Sequence, residues 1–490
     1  MENINNKFKV AFYTLGCKVN QYETNAMIDI FKNNGYEIVD FNTYADVYVV
    51  NTCTVTSMSD KKSRQVLRRA KHINPESVLC AVGCYAQVAK KDIEKIEDVD
   101  IILGNIEKKD ILSAVNDYKQ KMFTKAIIDE RASKNNIDTE LTKQDNVCDE
   151  QEKQVNSKGK VINVDNIMKL QPYQNYEGIA YSEHARAEIK IQDGCDRFCS
   201  YCIIPYARGP VRSRKPSDII CEIKRIVESG VKEIVITGIH ISSYGKDFKN
   251  QKIECEGKNC DISIDDNECK NNLNDNYALI DLLEEINKIE GIKRIRLGSL
   301  EPRIITEEFV KRLVKLEKIC NHFHLSLQSG CNETLQRMNR KYTTEEFKHI
   351  VHLLRSNIPE VALTTDVIVG FPGETDEEFS KTVEFLKEIK FSKMHIFKYS
   401  IREGTPAATF VNQVSDSKKE ERSNILLEMS DIHEAAFAKQ YIGKSIEVLF
   451  ENETEGHTTN YIKIIRKNNG EKSEIKQVIP IKWEDNVLLV

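Results

Sequence analysis

Two stretches of alternating strand and helix, interrupted by two polar tracts without periodicity, constrain this chain more than any other feature. KVAFYTLG (9–16), DVYVVNT (46–52), VLCAVG (78–83) and DIILGN (100–105) are apolar, β-rich runs. Between them, 20–34, 59–73 and 86–97 carry helical spacing; Ala26, Met27, Ile30 and Phe31 share a face in the first, which stops at Gly35. That rhythm predicts a parallel α/β domain over 8–124. It resumes over 181–436, where AEIKIQD, EIVITGI, IKRIRLGS, HFHLSLQS, VALTTDVIVG and MHIFKYS read as six strands of a complete or partial parallel barrel. A charged helix (416–439) leads out. Residues 441–490 hold only short strands and turns, a β module of small-barrel size. Residues 125–180 read as a polar insertion or linker, and 246–276 as a second insertion within the barrel.

No apolar run reaches the ~18 residues of a membrane span, and the polar start MENINNKFKV does not resemble a signal peptide. Both predict a cytoplasmic protein without a membrane partner. In that compartment the fourteen cysteines are expected as thiols or metal ligands rather than disulfides. Cys195, Cys199 and Cys202 have C-x3-C-x2-C spacing directly after a predicted strand. Three thiolates suit a soft, sulfur-preferring centre. Structural zinc prefers four ligands in C-x2-C pairs, and no fourth is near. A four-iron cluster on three ligands leaves one iron open, able to chelate S-adenosylmethionine and break its carbon–sulfur bond by electron transfer.

Cys17, Cys53 and Cys84 each follow a predicted parallel strand, on the edge where open α/β sheets bind ligands. Position alone leaves them as a ligand set or as buried thiols. Cys80 reads as core. Cys255, Cys260 and Cys269 lie in the second insertion with no nearby histidine, and Cys148, Cys221, Cys320 and Cys331 show no ligand pattern. In the barrel strands, alternation puts His322, His324, Ser326 and Gln328 on one face, with Arg294, Arg296, Thr364 and Asp366 on the matching faces of their own strands. Such a face either lines a lumen that binds a polar ligand or fills the barrel with mutually satisfied layers.

Nine stretches resemble the radical-SAM methylthiotransferases, and within them the subgroup modifying threonylcarbamoyladenosine in tRNA: TLGCKVNQYE (14–23), NTCTVT (51–56), GCYAQ (83–87), IQDGCDRFCSYCIIPYARGPVRSR (191–214), TGIHISSYG (237–245), RLGSLEP (296–302), HLSLQSG (324–330), DVIVGFPGET (366–375) and FKYSIREGTPA (397–407). The resemblance implies an enzyme with two [4Fe–4S] clusters, one on Cys195, Cys199 and Cys202 and one on Cys17, Cys53 and Cys84. It implies S-adenosylmethionine as methyl and radical source. Gly370 falls where the family brings the backbone close to the adenine, and Arg208 and Arg402 match positions near that cofactor. With Ser326 and Gln328 they form the candidate S-adenosylmethionine site. The expected product is the 2-methylthio form of threonylcarbamoyladenosine beside the anticodon (position 37); the sulfur source and electron donor are unidentified. Rival substrates within the family are isopentenyladenosine in tRNA and a ribosomal-protein aspartate. A non-catalytic iron–sulfur RNA-binding protein is a rival of another class.

The C-terminal module resembles the family's TRAM domain, which grips tRNA. Yet 441–490 has seven Lys/Arg against eight Asp/Glu, and the whole chain is at −5, a weak electrostatic footprint for RNA. Lys463 and Arg466 are its candidate contacts. KKSRQVLRRAKH (61–72) has six Lys/Arg and no acid, and places Lys61, Arg64, Arg68 and Lys71 in one helical stripe. That stripe is expected either to meet tRNA phosphates or to be a solvated face.

Overall fold

The computed structural model describes residues 7–134, 160–169, 172–176, 185–250 and 277–490. The chain divides into two units: 1–170 with 176–179 and 206–208, and the remainder.

The first unit is an all-parallel sheet in the order β2-β1-β3-β4-β5-β6, formed by β1 (Lys9–Thr14), β2 (Glu37–Val39), β3 (Val47–Thr52), β4 (Val78–Gly83), β5 (Ile101–Leu103) and β6 (Val161–Asn163). Every residue of β3 and β4 is buried, as strands covered on both faces must be. Alternation sends Tyr48, Val50, Leu79 and Ala81 into one core with Leu67 and Ala70 of helix Ser57–Ile73. It sends Val47, Val49, Cys80 and Val82 into the other with Met27 and Phe31 of helix Lys18–Asn33. The Thr56 hydroxyl caps helix Ser57–Ile73 by accepting from the Ser59 N–H.

The expectation of a polar linker over 125–180 needs correction at both ends. Helix Ile111–Lys134 continues past 125, and 161–163 adds β6 to the sheet edge through Ile101, Ile102 and Leu103. The apolar Val161 and Ile162 are too few to stand out in a polar tract, but the sheet buries both. Residues 135–159 lie outside the described residues, as do 177–184 and 251–276.

In the second unit all six expected barrel strands form: β7 (Arg186–Asp193), β9 (Glu233–Gly238), β10 (Arg294–Leu297), β11 (His322–His324), β12 (Ala362–Val369) and β13 (Lys393–Lys398). A two-residue strand, β8 (Arg212–Ser213), pairs antiparallel with β7. The others are parallel and neighbour each other in chain order. Isolated bridges Ile295–Ile319 and Leu300–Leu325 join β10 to the β11 segment, so the barrel is partial. Helix Asp416–Lys439 packs on β13, where the Ser430 hydroxyl accepts from the Met394 N–H. Residues after it form a six-stranded sheet around Val448, Phe450, Ile464 and Leu488. No helix among the described residues is long and apolar enough to cross a membrane.

Candidate metal centres

Cys17, Cys53 and Cys84 stand directly after β1, β3 and β4, which are consecutive in the sheet. The fold thus collects three cysteines that lie more than thirty positions apart. Cys17 is the N-cap of helix Lys18–Asn33 and Cys84 opens helix Cys84–Val88. Gly16 (φ +102°) and Gly83 (φ +100°) precede them in left-handed conformation. A Cβ at Gly16 would lie 2.8 Å from the Cys53 sulfur, so only glycine leaves that sulfur its space. Burial pushes the Cys53 thiol up, and the Cys84 and Cys17 sulfurs push it further.

A buried polar group supports this trio, and sequence reading missed it. Arg208 is fully buried in the first unit. Its Nε donates to the Cys84 sulfur at 3.1 Å, its Nη2 to Asn20 Oδ1, and both Nη atoms to Glu23. Lys108, equally buried, donates to Glu23 Oε2, the oxygen that Arg208 Nη2 also reaches. Asn105 donates to the Ala207 carbonyl at 2.7 Å and approaches Cys84 at 3.6 Å. Asn20 and Glu23 come from TLGCKVNQYE and lie on the buried side of its helix, while Lys18 and Gln21 are exposed. The Arg208 guanidinium bonds Glu23, Asn20 and Cys84, contacts that the resemblance did not imply. The Arg208 guanidinium on the Cys84 sulfur places a positive charge where a metal-binding thiolate needs one.

Cys195, Cys199 and Cys202 occupy the loop after β7. Gly194 (φ +74°) precedes them, where a Cβ would sit 1.8 Å from the Pro210 carbonyl oxygen. A glycine in left-handed conformation directly before a strand-end cysteine thus occurs at 16, 83 and 194, a signal readable as the dipeptide Gly-Cys. The loop is pinned by Cys195 N–H to the Gly209 carbonyl, Ser200 N–H to the Met338 carbonyl and Asn339 to the Phe198 carbonyl. Phe198 itself is left-handed (φ +45°), a strained conformation that the Asn339 bond holds. Burial and the nearby sulfurs push Cys195 up to about 11 and Cys202 up to about 12. Arg340 answers that field: Nη1 donates to the Cys199 sulfur at 3.4 Å and Nη2 to the Ser326 carbonyl at 2.8 Å. The Tyr342 hydroxyl, 2.9 Å from Arg340 Nε, lies 2.6 Å from the Ser326 and Leu327 carbonyls. Each cysteine trio therefore has one arginine on one sulfur. Among the described residues no three His, Cys, Asp or Glu side chains converge on a single ion; a four-iron cluster takes each thiolate on a different iron.

Of the candidate S-adenosylmethionine residues, Ser326 and Gln328 fall beyond the carboxyl end of β11. Gln328 is left-handed (φ +74°), with its backbone paired to Asp366 and Ile368. Gly370 (φ +70°) donates its N–H to Glu374 Oε2 at 2.6 Å, and a Cβ there would meet the Lys419 side chain at 2.3 Å. Packing inside the protein already requires this glycine. Arg402 is buried, and its carbonyl accepts from the Thr405 N–H and hydroxyl.

Toward the amino ends of the strands much of the polar face is internally partnered. Arg296 pairs with Glu233 and donates to the Thr458 and Thr459 carbonyls; Arg294 pairs with Glu447. His322 and His324 share the Thr364 hydroxyl. Tyr461 stacks between His322 and His457 with centroids 4.9 and 4.8 Å away, under Arg296 at 4.7 Å. Much of this half of the face is thus filled by internal contacts.

The basic stripe is only partly available. Lys61 and Arg68 are exposed. Arg64 donates to the Tyr85 hydroxyl, while Lys71 pairs with Asp100 and donates to the Ser77 carbonyl. In the C-terminal sheet Lys463 pairs with Glu455, and Arg466 pairs with Glu474 while lying 3.8 Å over the Phe450 ring. Arg64, Lys71, Lys463 and Arg466 thus have internal partners that the helical and strand spacing did not reveal.

Residues 189–386 match the Radical SAM superfamily, and 9–104 match the family described as uncharacterized protein family UPF0004. The chain is 41% identical over 96% of its length to threonylcarbamoyladenosine tRNA methylthiotransferase MtaB of Bacillus subtilis, covering 93% of that protein. It is 36% identical over 96% of its length to the protein of the same name from Aquifex aeolicus, covering 100% of it. A tRNA-2-methylthio-N(6)-dimethylallyladenosine synthase of Geobacillus kaustophilus is 34% identical, over 96% of this chain and 78% of its own. Among solved structures, the radical S-adenosylmethionine methyltransferase TsrM of Kitasatospora setae shares the fold, with a TM-score of 0.51 at 13% identity over 82% of this chain and 77% of its own.

Proposed function

This chain belongs to the threonylcarbamoyladenosine tRNA methylthiotransferases of the radical-SAM superfamily, and from that premise we propose how its residues divide the work. It modifies tRNA by radical-SAM methylthiolation, using S-adenosylmethionine and iron–sulfur clusters. Cys195, Cys199 and Cys202 hold the radical cluster, and Cys17, Cys53 and Cys84 hold the second. The methylthio group goes to C2 of N6-threonylcarbamoyladenosine at position 37, beside the anticodon. The reaction runs in the cytoplasm, where reducing conditions keep Cys17, Cys53, Cys84, Cys195, Cys199 and Cys202 free.

When bound, a four-iron cluster on three thiolates supplies an open iron and the electron that cleaves S-adenosylmethionine. The protein's own part is positioning and charge. Arg340 holds the Cys199 sulfur against the Ser326 carbonyl, which ties the cysteine loop to the end of the β11 segment. Arg208 fixes Cys84 with a permanent positive charge, which stabilises the thiolate a ligand must be. Gly16, Gly83 and Gly194 turn the chain so that Cys17, Cys84 and Cys195 stand at the carboxyl ends of their strands. A loop base of tRNA is single-stranded and can be splayed into such a site. Abstraction of a hydrogen atom from C2 requires no acid–base residue.

One observation carries this reading: two separate cysteine trios, each at the carboxyl ends of parallel strands and each with an arginine on one sulfur. Relatives named for dimethylallyladenosine show 32–34% identity against 33–41% for those named for threonylcarbamoyladenosine, whose two highest values favour the latter substrate. A nucleoside profile of tRNA from a deletion strain tests it. Loss of methylthio-threonylcarbamoyladenosine, with methylthio-dimethylallyladenosine intact, is expected; an unaltered profile refutes the substrate assignment.

A further inference from the structure

At the carboxyl ends of β9 and β10, beside the Cys195–Cys202 loop, the second unit contains a cavity of about 520 Å³. Its charged lining is Arg197, Lys246, Lys249, Glu301 and Arg303. The one carboxylate, Glu301, is already taken by Arg197 at 2.5 Å. Lys246, Lys249 and Arg303 are exposed and have no ion-pair partner among the described residues. Partial desolvation and the neighbouring Arg197 guanidinium pull the Lys246 ammonium below its usual pKa, with Arg303 adding to the effect and Glu301 and Asp196 opposing it. Among the described residues, Lys246, Lys249 and Arg303 thus bring positive charge to the cavity that no carboxylate of its lining pairs with.

The wall is built to hold that charge in place. Tyr244, Phe248 and Tyr277 pack edge-on and tilted, with centroids 5.6 to 6.4 Å apart. Gly245 (φ +86°) passes so close to Tyr277 that a Cβ would lie 2.0 Å from its carbonyl oxygen. The Gly245 N–H donates to the Ser213 hydroxyl, and the Ser242 hydroxyl accepts from the Glu301 N–H. The loop carrying Lys246 is thus anchored to the core and to the Glu301 segment. In parallel barrels the carboxyl face of the strands is where substrates are met, and the volume is that of a small-molecule subsite.

We propose that this cavity binds an oxyanion carried by the RNA substrate, either the carboxylate of the threonyl arm on the target base or a backbone phosphate beside it. The proposal rests on the function assigned above and adds how that substrate is recognised. Lys246 and Arg303 are the donors to the anion, and Glu301 keeps Arg197 oriented at the cavity wall. A charge-assisted contact here rewards an acidic side arm on the base, which a hydrocarbon arm does not offer.

The test uses the full chain with its clusters reconstituted. Wild type and a Lys246→Ala/Arg303→Ala double variant are titrated with two synthetic anticodon stem-loops at several salt concentrations. One stem-loop carries threonylcarbamoyladenosine at position 37 and the other adenosine. Recognition of the carboxylate predicts a loss of roughly tenfold or more on the modified RNA alone. Recognition of a phosphate predicts equal losses on both, with the slope of log K against log salt shallower by about 0.7 per charge removed. Equal iron content and thermal midpoint in the two proteins exclude misfolding, and an Arg303→Lys variant recovers part of the affinity. Unchanged binding of both RNAs by the double variant overturns the cavity assignment. Failure of the wild type to bind either RNA overturns the function on which it rests.

Discussion

Glu23 pairs with two fully buried cations, Arg208 and Lys108, so Glu23→Gln is a severe test of the first site. The substitution keeps the shape and removes the charge. Breaking a buried pair by removing one partner costs about 3–5 kcal/mol because the other charge stays buried. Lys108 relieves part of that by releasing its proton, its pKa being already lowered by burial; Arg208 has no such escape. For a unit of this size the loss amounts to roughly 6–20 °C in the first thermal transition. A lysine whose folded pKa lies below its unfolded value binds fewer protons folded than unfolded, so the variant's stability rises with pH. Hydrogen exchange of peptides from helix Lys18–Asn33, read with calorimetry between pH 6.5 and 9, measures both. A loss below about 1 kcal/mol, or one that deepens as pH rises, refutes the charge balance described for this site.

Gly194→Ala brings a Cβ to 1.8 Å of the Pro210 carbonyl at φ +74°; iron bound at Cys195, Cys199 and Cys202 falls, while Cys17, Cys53 and Cys84 retain theirs, as iron assay reads. Arg340→Met removes the cation from the Cys199 sulfur and lowers the potential of the cluster there, as redox titration monitored by electron paramagnetic resonance reads; an unchanged potential contradicts the contact. Glu107 is buried, and burial raises its carboxyl to about 6. An acid with a raised folded pKa costs stability above that pKa and ceases to as pH falls toward its unfolded value. Glu107→Gln therefore stabilises by about 2 kcal/mol at pH 7.5 and by little near pH 4.5 in urea melts. Tyr461→Ala opens the stack between His322 and His457 and lowers the melting point of the second unit by several degrees, while Tyr461→Phe keeps it.

What the sequence revealed follows from how each feature is encoded. The central strands were legible because strands buried on both faces are continuous apolar runs, as in VYVVNT and VLCAVG. The cysteine positions were legible because each follows such a run. The destination of Arg208 was not: its partners Glu23 and Asn20 lie 185 and 188 positions away, and no local pattern links PYARG to TLGCKVNQYE. Arg340 was hidden for the same reason, 141 positions from Cys199. The polar barrel face was visible as an alternation, but only the fold decides that Tyr461 and Glu233 consume its amino-terminal half. The helical stripe at 61–72 shows the converse failure. Spacing grouped Lys61, Arg64, Arg68 and Lys71 correctly on one helix, yet Tyr85 and Asp100 from later in the chain occupy two of them.

The two-centre account is tested most directly by a pair of triple variants, reconstituted anaerobically and given reductant, S-adenosylmethionine and tRNA bearing threonylcarbamoyladenosine. Cys195→Ala/Cys199→Ala/Cys202→Ala should keep about four irons and form neither 5′-deoxyadenosine nor the methylthio nucleoside. Cys17→Ala/Cys53→Ala/Cys84→Ala should also keep about four irons and form 5′-deoxyadenosine, but no methylthio product. Methylthio product from the second variant, or no iron left in the first, would contradict two centres with separate tasks.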